Sequence, residues 1–306
     1  MAVKNVTIQD IADRLGMAKS TVSKAISGAT DISEKTRERV LACAGEMGYQ
    51  VKAKHVSYTK SIVVFIYGSI HYDKVDQFGY EIILGLQAAA AEHGIGGNIT
   101  AISNAELKSG NYYSIVSGGN CEGAVFLGFK PHHVFIEHIR SLNIPLVILD
   151  NNVDYQLAAR VGCDSAEGIR QMVQYLWMRG HDRIGFLGGE EDSIVTQERY
   201  QAYSDALKEL GLEENKDAVR YGHFSAKGTR KRILPIAQTG VTAVVCISDL
   251  LACSAVQELE KAGYVVPADI SVTGYDNLPV SEYSQPRITT MYQNRIHTVS
   301  YTHLTL

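Results

Sequence analysis

The sequence predicts an α/β protein in two parts: a three-helix head within the first fifty residues, then a larger body of two α/β subdomains. Three observations carry this. Residues 6–24 read VTIQDIADRLGMAKSTVSK, two short amphipathic stretches joined at Gly16. From Ile62 onward, continuous Val/Ile runs alternate with stretches of helical periodicity, the signature of parallel sheets covered on both faces. Charge divides at the same place: residues 1–60 hold ten Lys/Arg and six Asp/Glu, a net +4, and the remainder nineteen and twenty-seven, a net −8.

In the head, Ile8, Ile11, Ala12 and Leu15 share one helical face, and Val22, Ala25 and Ile26 line the matching face of a second helix. Thr7 followed by Asp10 has capping-box spacing. The second helix is predicted over Ala18–Ser27, ended by Gly28. A third starts at an N-cap, Ser33, carries Thr36, Arg37, Val40, Leu41, Ala44 and Met47 at helical spacing, and closes at Gly48. The outer face of the second helix presents Lys19, Ser20, Ser23 and Lys24. A braced helix with such a face is what a helix-turn-helix offers to a major groove. A small cationic head on an acidic body suits contact with phosphate through the head alone.

In the body, strands are predicted at Ile62–Tyr67, Asn98–Ile102, Gly123–Leu127, Pro145–Leu149, Arg183–Leu187, Ala243–Ile247 and Ser271–Gly274. Helices are predicted at Gly79–His93, Val134–Leu142, Ala166–Arg179, Glu198–Leu210 and Leu250–Ala262. That total exceeds one doubly wound sheet, so two subdomains with a cleft between them are expected. Polar residues at the carboxyl ends of the strands should converge there on a ligand.

Other classes of function fit poorly. No apolar run reaches the roughly 18 residues of a membrane span, and the N-terminus lacks the pattern of a secretory signal. Cys43, Cys121, Cys163, Cys246 and Cys253 are odd in number, with no C-x-x-C. They read as small apolar residues of a reducing compartment, the cytoplasm. His132, His133, Glu137 and His138 match neither H-E-x-x-H nor H-x-x-E-H and read as a solvated helix end, not a metal site. There is no G-x-S-x-G, P-loop or G-x-G-x-x-G, so neither an enzyme nor a bound cofactor is expected.

The head resembles that of the LacI/GalR family of transcription regulators, with its recurring V-T-x-x-D-[VI]-A-x-x-x-G-[VM]-S-x-x-T-V-S-[RK]. Here it stands as Val6-Thr7, Asp10-Ile11-Ala12, Gly16-Met17-Ala18 and Thr21-Val22-Ser23-Lys24. Residues 32–37 (ISEKTR) and 47–49 (MGY) also match. In the body, residues 144–150 (IPLVILD), 180–189 (GHDRIGFLGG), 198–203 (ERYQAY) and 266–276 (VPADISVTGYD) are similar to the family's effector domain, which shares the periplasmic-binding-protein fold.

The resemblance implies a DNA-binding transcriptional regulator, a repressor and homodimer, holding a palindromic operator in double-stranded DNA. A small-molecule effector, a sugar or sugar derivative, would control it. Lys19, Ser20 and Lys24 would face base edges, with Gln9 and Ser23 beside them. Thr7, Thr21, Ser27, Ser33 and Thr36 would hold phosphates. Asp150, Arg199 and Asp276 match the family's polar effector contacts; carboxylates accept from vicinal hydroxyls and arginine donates in a fork. Ser248 stands before Asp249 where the family often has asparagine, which alters the hydrogen bonds offered to an effector. Tyr67, Tyr72, Phe78, Tyr275 and Tyr283 are available for stacking on a sugar ring.

Departures from the pattern are equally specific. Ala18 replaces a phosphate-contacting serine. The linker 51–61 lacks the family's P-N-x-x-A-x-x-L and is about two residues short. Either Val56 or Tyr58 wedges into the minor groove while Lys52, Lys54 and Lys60 face phosphate, or the segment stays a flexible basic tether. Residues 286–291 (PRITTM) match a return strand, after which the match stops. The tail 297–306 fits no family element, so the C-terminus reads as truncated, leaving apolar sheet uncovered in the first subdomain. The expected organisation is a head at 1–50, a hinge at 51–61, a first subdomain at 62–158 plus 289–296, and a second at 159–288. A solute-binding protein without gene control is the alternative, disfavoured by the basic head; a sugar-processing enzyme is disfavoured by the lack of a catalytic constellation.

Overall fold

The computed structural model describes residues 6–26, 31–47, 49, 60–67, 77–102, 121–129 and 143–296. Outside them lie Ser27, Gly28, Gly48, Lys52, Lys54, Val56, Tyr58, Tyr72, the predicted helix 134–142 with its histidines, and the tail 297–306. The chain forms two compact units, 1–57 and 58–306.

In the head, helices α1 (Ile8–Leu15), α2 (Lys19–Ile26) and α3 (Glu34–Glu46) close around one core. Ile11, Ala12, Val22, Ala25, Val40, Cys43 and Ala44 are buried together, the apolar faces read from the sequence. Thr7 and Asp10 form the expected capping box: the Thr7 side chain accepts from the Asp10 amide, and the Asp10 carboxylate accepts from the Thr7 amide at 2.7 Å. Gly16 takes the left-handed conformation, φ +62°, that ends α1 and turns the chain into α2. Ser33 caps α3 through the Thr36 amide.

The body holds two five-stranded parallel sheets. The first runs β1 (Lys60–Tyr67), β2 (Ile95–Ile102), β3 (Cys121–Leu127), β4 (Leu146–Leu149) and β5 (Ala158–Val161), in spatial order β2-β1-β3-β4-β5. The second runs β6 (Ile184–Gly188), β7 (Val219–Tyr221), β8 (Ala243–Cys246), β9 (Ser271–Asp276) and β10 (Thr289–Tyr292), in order β10-β9-β8-β6-β7. Counted along the chain, both follow the order 2-1-3-4-5. Alternation along β1 buries both faces of the first sheet: Val63 and Phe65 join one core with Phe126 and Ile148. Ile62, Val64 and Ile66 join another beneath helix α4 (Phe78–Glu92). In the second subdomain, α5 (Ser165–Met178), α6 (Ile194–Glu209), α7 (Ala226–Ala237), α8 (Asp249–Lys261) and the short α9 (Pro279–Tyr283) pack on the second sheet.

All seven predicted strands form. Three more were not foreseen as strands or sat elsewhere. β5 and β7 are short edge strands bearing Arg160 and Arg220, and a charged edge carries little apolar signal. Residues 289–296 were expected to return to the first subdomain. Instead β10 pairs in parallel with β9, Thr289 opposite Thr273 and Tyr292 opposite Asp276, so 289–292 belong to the second sheet. β5 likewise carries the first sheet past the expected boundary at 158.

The capping box gives a direct check on the head. Thr7→Ala should remove about 1 kcal/mol of local stability, read in the full chain as lowered hydrogen-exchange protection across α1 with α4 unchanged.

Candidate functional site

The outer face of α2 is built as the sequence predicts. Lys19, Ser20, Ser23 and Lys24 are exposed and Thr21 is half-buried, while Val22 and Ala25 point inward. Ala18 precedes the helix with no side-chain acceptor to offer its first amides. Lys24 pairs with Asp31 at 2.5 Å, both exposed, and this contact pulls the Asp31 carboxyl below its ordinary value. Arg14 on α1 meets Glu46 on α3 at 2.9 Å. Gln9 is exposed and donates to Asp13 at 2.8 Å. Ser33 and Thr36 share a hydroxyl contact of 2.8 Å at the start of α3.

In the body, the carboxyl ends of the strands gather polar groups around Arg199. This residue comes from the first turns of α6 and is 3% exposed. Its Nε donates to Ser165 Oγ at 3.2 Å, on the first residue of α5. Nη1 donates to the Ile247 carbonyl, just past β8, at 2.5 Å, and lies 3.9 Å from Asp276 Oδ1 at the end of β9. Nη2 meets Gln293 Oε1, just past β10, at 3.5 Å. The guanidinium lies 3.8 Å from the centroid of the Tyr275 ring, a stacked cation–π geometry. A Cβ at Gly168 would run into that ring's hydroxyl, so glycine there admits the tyrosine.

Asp150 and Asp276 face this centre from equivalent places. Asp150 directly follows β4 and Asp276 ends β9, each the fourth strand, in chain order, of a sheet with the same winding, and each has positive φ, +52° and +103°. A side chain at Gly162 would meet Asp150 Oδ1 at 2.6 Å, so that glycine leaves room for the carboxyl. Asp276 Oδ1 is buried without a hydrogen-bond partner. Burial pushes the Asp150 carboxyl up to about 6, opposed by Arg199 and Arg160. Burial pushes Asp276 up to about 7, opposed chiefly by Arg199.

Ser248 and Asp249 are engaged differently from the expectation that they contact an effector. The Ser248 hydroxyl caps α8 through the Leu251 amide. Asp249 is fully buried and accepts from the Leu278 amide at 2.6 Å and from Thr290 Oγ1 at 2.5 Å. It ties α8 to the segments after β9 and along β10. A buried carboxylate needs such partners, and both of its oxygens are taken; burial still raises it to about 6. Of the aromatic candidates, Tyr275 stacks on Arg199, Tyr67 packs against Phe129 with ring centroids 5.4 Å apart, Phe78 borders the α4 core, and Tyr283 is 80% exposed.

Several polar residues at the site were not singled out from the sequence. Arg160 on β5 reaches Glu198 on α6 at 2.6 Å, joining the two subdomains at the rim. Asn151 donates to the Phe129 carbonyl and accepts from the Asn152 amide, which fixes the loop carrying Asp150. Gln293 and Arg295, both buried, follow β10. Their only signal in the sequence is a polar run after a return strand. All five cysteines are free thiols. Among the described residues no group of His, Cys, Asp and Glu is arranged to hold a metal ion, and no helix is long and apolar enough to cross a membrane.

The proton affinities set a stability window. Asp150, Asp249 and Asp276 hold protons more tightly in the folded chain than at the ordinary value of 3.8. The native state therefore binds more protons than the unfolded one between about pH 4 and 7, and this contribution is lost as pH rises through that range. Asp276→Asn, which cannot ionise, should gain stability relative to the parent chain as urea unfolding is repeated from pH 5 to pH 8. A gap independent of pH would contradict this.

Known proteins share both parts. The family described as bacterial regulatory proteins, lacI family, matches residues 7–51, and the periplasmic binding protein-like domain matches residues 173–298. The HTH-type transcriptional repressor CytR of Escherichia coli (strain K12) is 29% identical over 296 residues, covering 94% of this chain and 85% of CytR. The probable HTH-type transcriptional repressor ExuR of Bacillus subtilis (strain 168) is 29% identical over 293 residues, 94% of this chain and 86% of ExuR. Among solved structures, the transcriptional regulator CelR in complex with cellobiose superposes with a TM-score of 0.74 at 25% identity, over 98% of this chain and 92% of that one. The Lac repressor bound to ONPG shares the fold, with a TM-score of 0.68 at 23% identity, over 98% and 91%. The chain thus joins a lacI-type DNA-binding head to a periplasmic-binding-protein-like body, the organisation of the LacI-family transcriptional repressors it resembles.

Proposed function

We propose that this regulator is a homodimeric cytoplasmic repressor of a palindromic operator, released or engaged by a sugar or sugar derivative held between the two body subdomains. One observation carries the reading: a single chain joins the exposed Lys19–Ser20–Ser23–Lys24 face of α2 to a buried carboxylate–guanidinium cluster at the strand ends of both sheets. Lys19 and Lys24 meet guanine edges, and Thr7, Thr21, Ser33 and Thr36 meet phosphates. The Lys24–Asp31 pair does not oppose this, since an exposed, solvent-screened ion pair is weak and exchanges readily with water.

The effector class follows from charge. Arg199 has spent most of its donors on protein acceptors, while Asp150 and Asp276 offer acceptors. The cluster therefore suits a neutral ligand rich in hydroxyl donors and repels an anion. The cellobiose bound by the similar CelR is such a ligand. Dimerisation rests on two arguments. One three-helix head is too small to hold a half-site tightly, so pairing supplies affinity. Tyr283, 80% exposed, lines a groove with Cys253, Val256 and Val280, a partly apolar face that a second copy would cover. A solute-binding role without gene control leaves the head unexplained.

Two measurements test the proposal. Gel shifts against inverted-repeat DNA selected from a random pool should show binding that weakens steeply with salt; absence of any selected sequence would overturn the reading. A thermal-shift screen of sugars, cellobiose included, should find one that raises the melting temperature. Asp150→Asn should then weaken that sugar at least tenfold, about 1.4 kcal/mol, and leave operator affinity in its absence unchanged. A variant that binds the sugar as tightly as its parent removes the pocket assignment.

A further inference from the structure

We propose that Arg295 is a positioning residue of the effector site, a strut that fixes the Asp276 peptide against helix α4 of the other subdomain. Arg295 is 2% exposed and, among the described residues, the bulkiest of the fully buried side chains. It lies just beyond β10, where the chain leaves the second sheet. Nη1 donates to the Asp276 carbonyl and, at 3.4 Å, to the Gln293 carbonyl. Nη2 meets Glu81 Oε2 at 2.8 Å. Glu81 sits in the first turn of α4, next to Ile82 and Ile83, which are buried in the core of the first sheet.

These contacts form one chain of polar links. Gln293 touches Arg199, Arg199 faces Asp276, and Arg295 grips the Asp276 backbone while reaching α4. Asp276 has φ +103°, a conformation an L-residue seldom holds without an outside constraint, and the bond from Arg295 to its carbonyl supplies one. A second cross-subdomain pair among the described residues, Arg160–Glu198, has both side chains about one-third exposed, whereas in Arg295–Glu81 only the acid is. A pair exposed on both sides exchanges with water at little cost. The guanidinium of Arg295 cannot, because a buried charge that loses its partner stays desolvated. Arg295–Glu81 is therefore the stiff link between the subdomains, and Arg160–Glu198 is the yielding one.

The strut reading rests on Asp276 being an effector contact, but its test needs no effector. Genetically encoded nitroxide residues at the exposed positions Gln87 on α4 and Lys208 on α6 report the separation of the subdomains by pulsed electron resonance. The labelled full chain is diluted into unlabelled chain so that only distances within one copy are read. Glu81→Gln, at a position about one-third exposed, and Arg295→Met should each broaden the distribution and shift its mean by several ångströms. Arg295→Lys, which keeps a charge for Glu81, should restore it in part, and Arg160→Gln should leave it near that of the parent. If Glu81→Gln lowers the melting temperature and leaves the distribution unchanged, Arg295 is only a core fastener and the proposal fails. Should Arg295→Met not fold, Glu81→Gln decides. A protein that binds no sugar yet shows the predicted shifts would remove the effector assignment and keep the strut.

Discussion

A positive charge held out of water organises the centre of the body. Arg199 joins the start of α5 to the ends of β8, β9 and β10, and it stacks on Tyr275 while doing so. Desolvating a guanidinium is tolerable only where its donors are met, so the strand ends must arrive in register for the fold to close. The carboxyls of Asp150 and Asp276 then lie near a fixed cation that partly offsets their own burial. Their raised proton affinities record how incomplete that offset is. Asp276 Oδ1 in particular is left with acceptor capacity that no protein donor fills.

The head obeys a different economy. Its core is small, and the turn at Gly16 with the Thr7–Asp10 box fixes the angle between α1 and α2 by local chemistry alone. The polar face of α2 is therefore held outward by the packing of the head's own three helices.

Legibility in the sequence followed the strength of local signals. The helices of the head, the capping box and all seven predicted body strands rest on apolar periodicity, which local residues determine. β5 and β7 escaped notice because runs of four and three residues, each interrupted by an arginine, are too short to give an apolar pattern. The register of β10 escaped because pairing is a long-range choice that no residue between 286 and 292 encodes. At the site, Asp150, Arg199 and Asp276 do converge. The family resemblance offered Asp249 as an effector contact, yet its oxygens are taken by Leu278 and Thr290. Arg295 was invisible for the converse reason: its partners, Glu81 and the Asp276 carbonyl, are distant in sequence and one is backbone.

The shared winding of the two sheets has a mechanical corollary. Asp150 and Asp276 terminate corresponding strands of twin lobes, so a molecule bridging them pulls on matching corners of both. Its span, more than its charge, would then set the angle at which the lobes rest. Loop substitutions beyond those strands could retune that span and leave the two apolar interiors untouched.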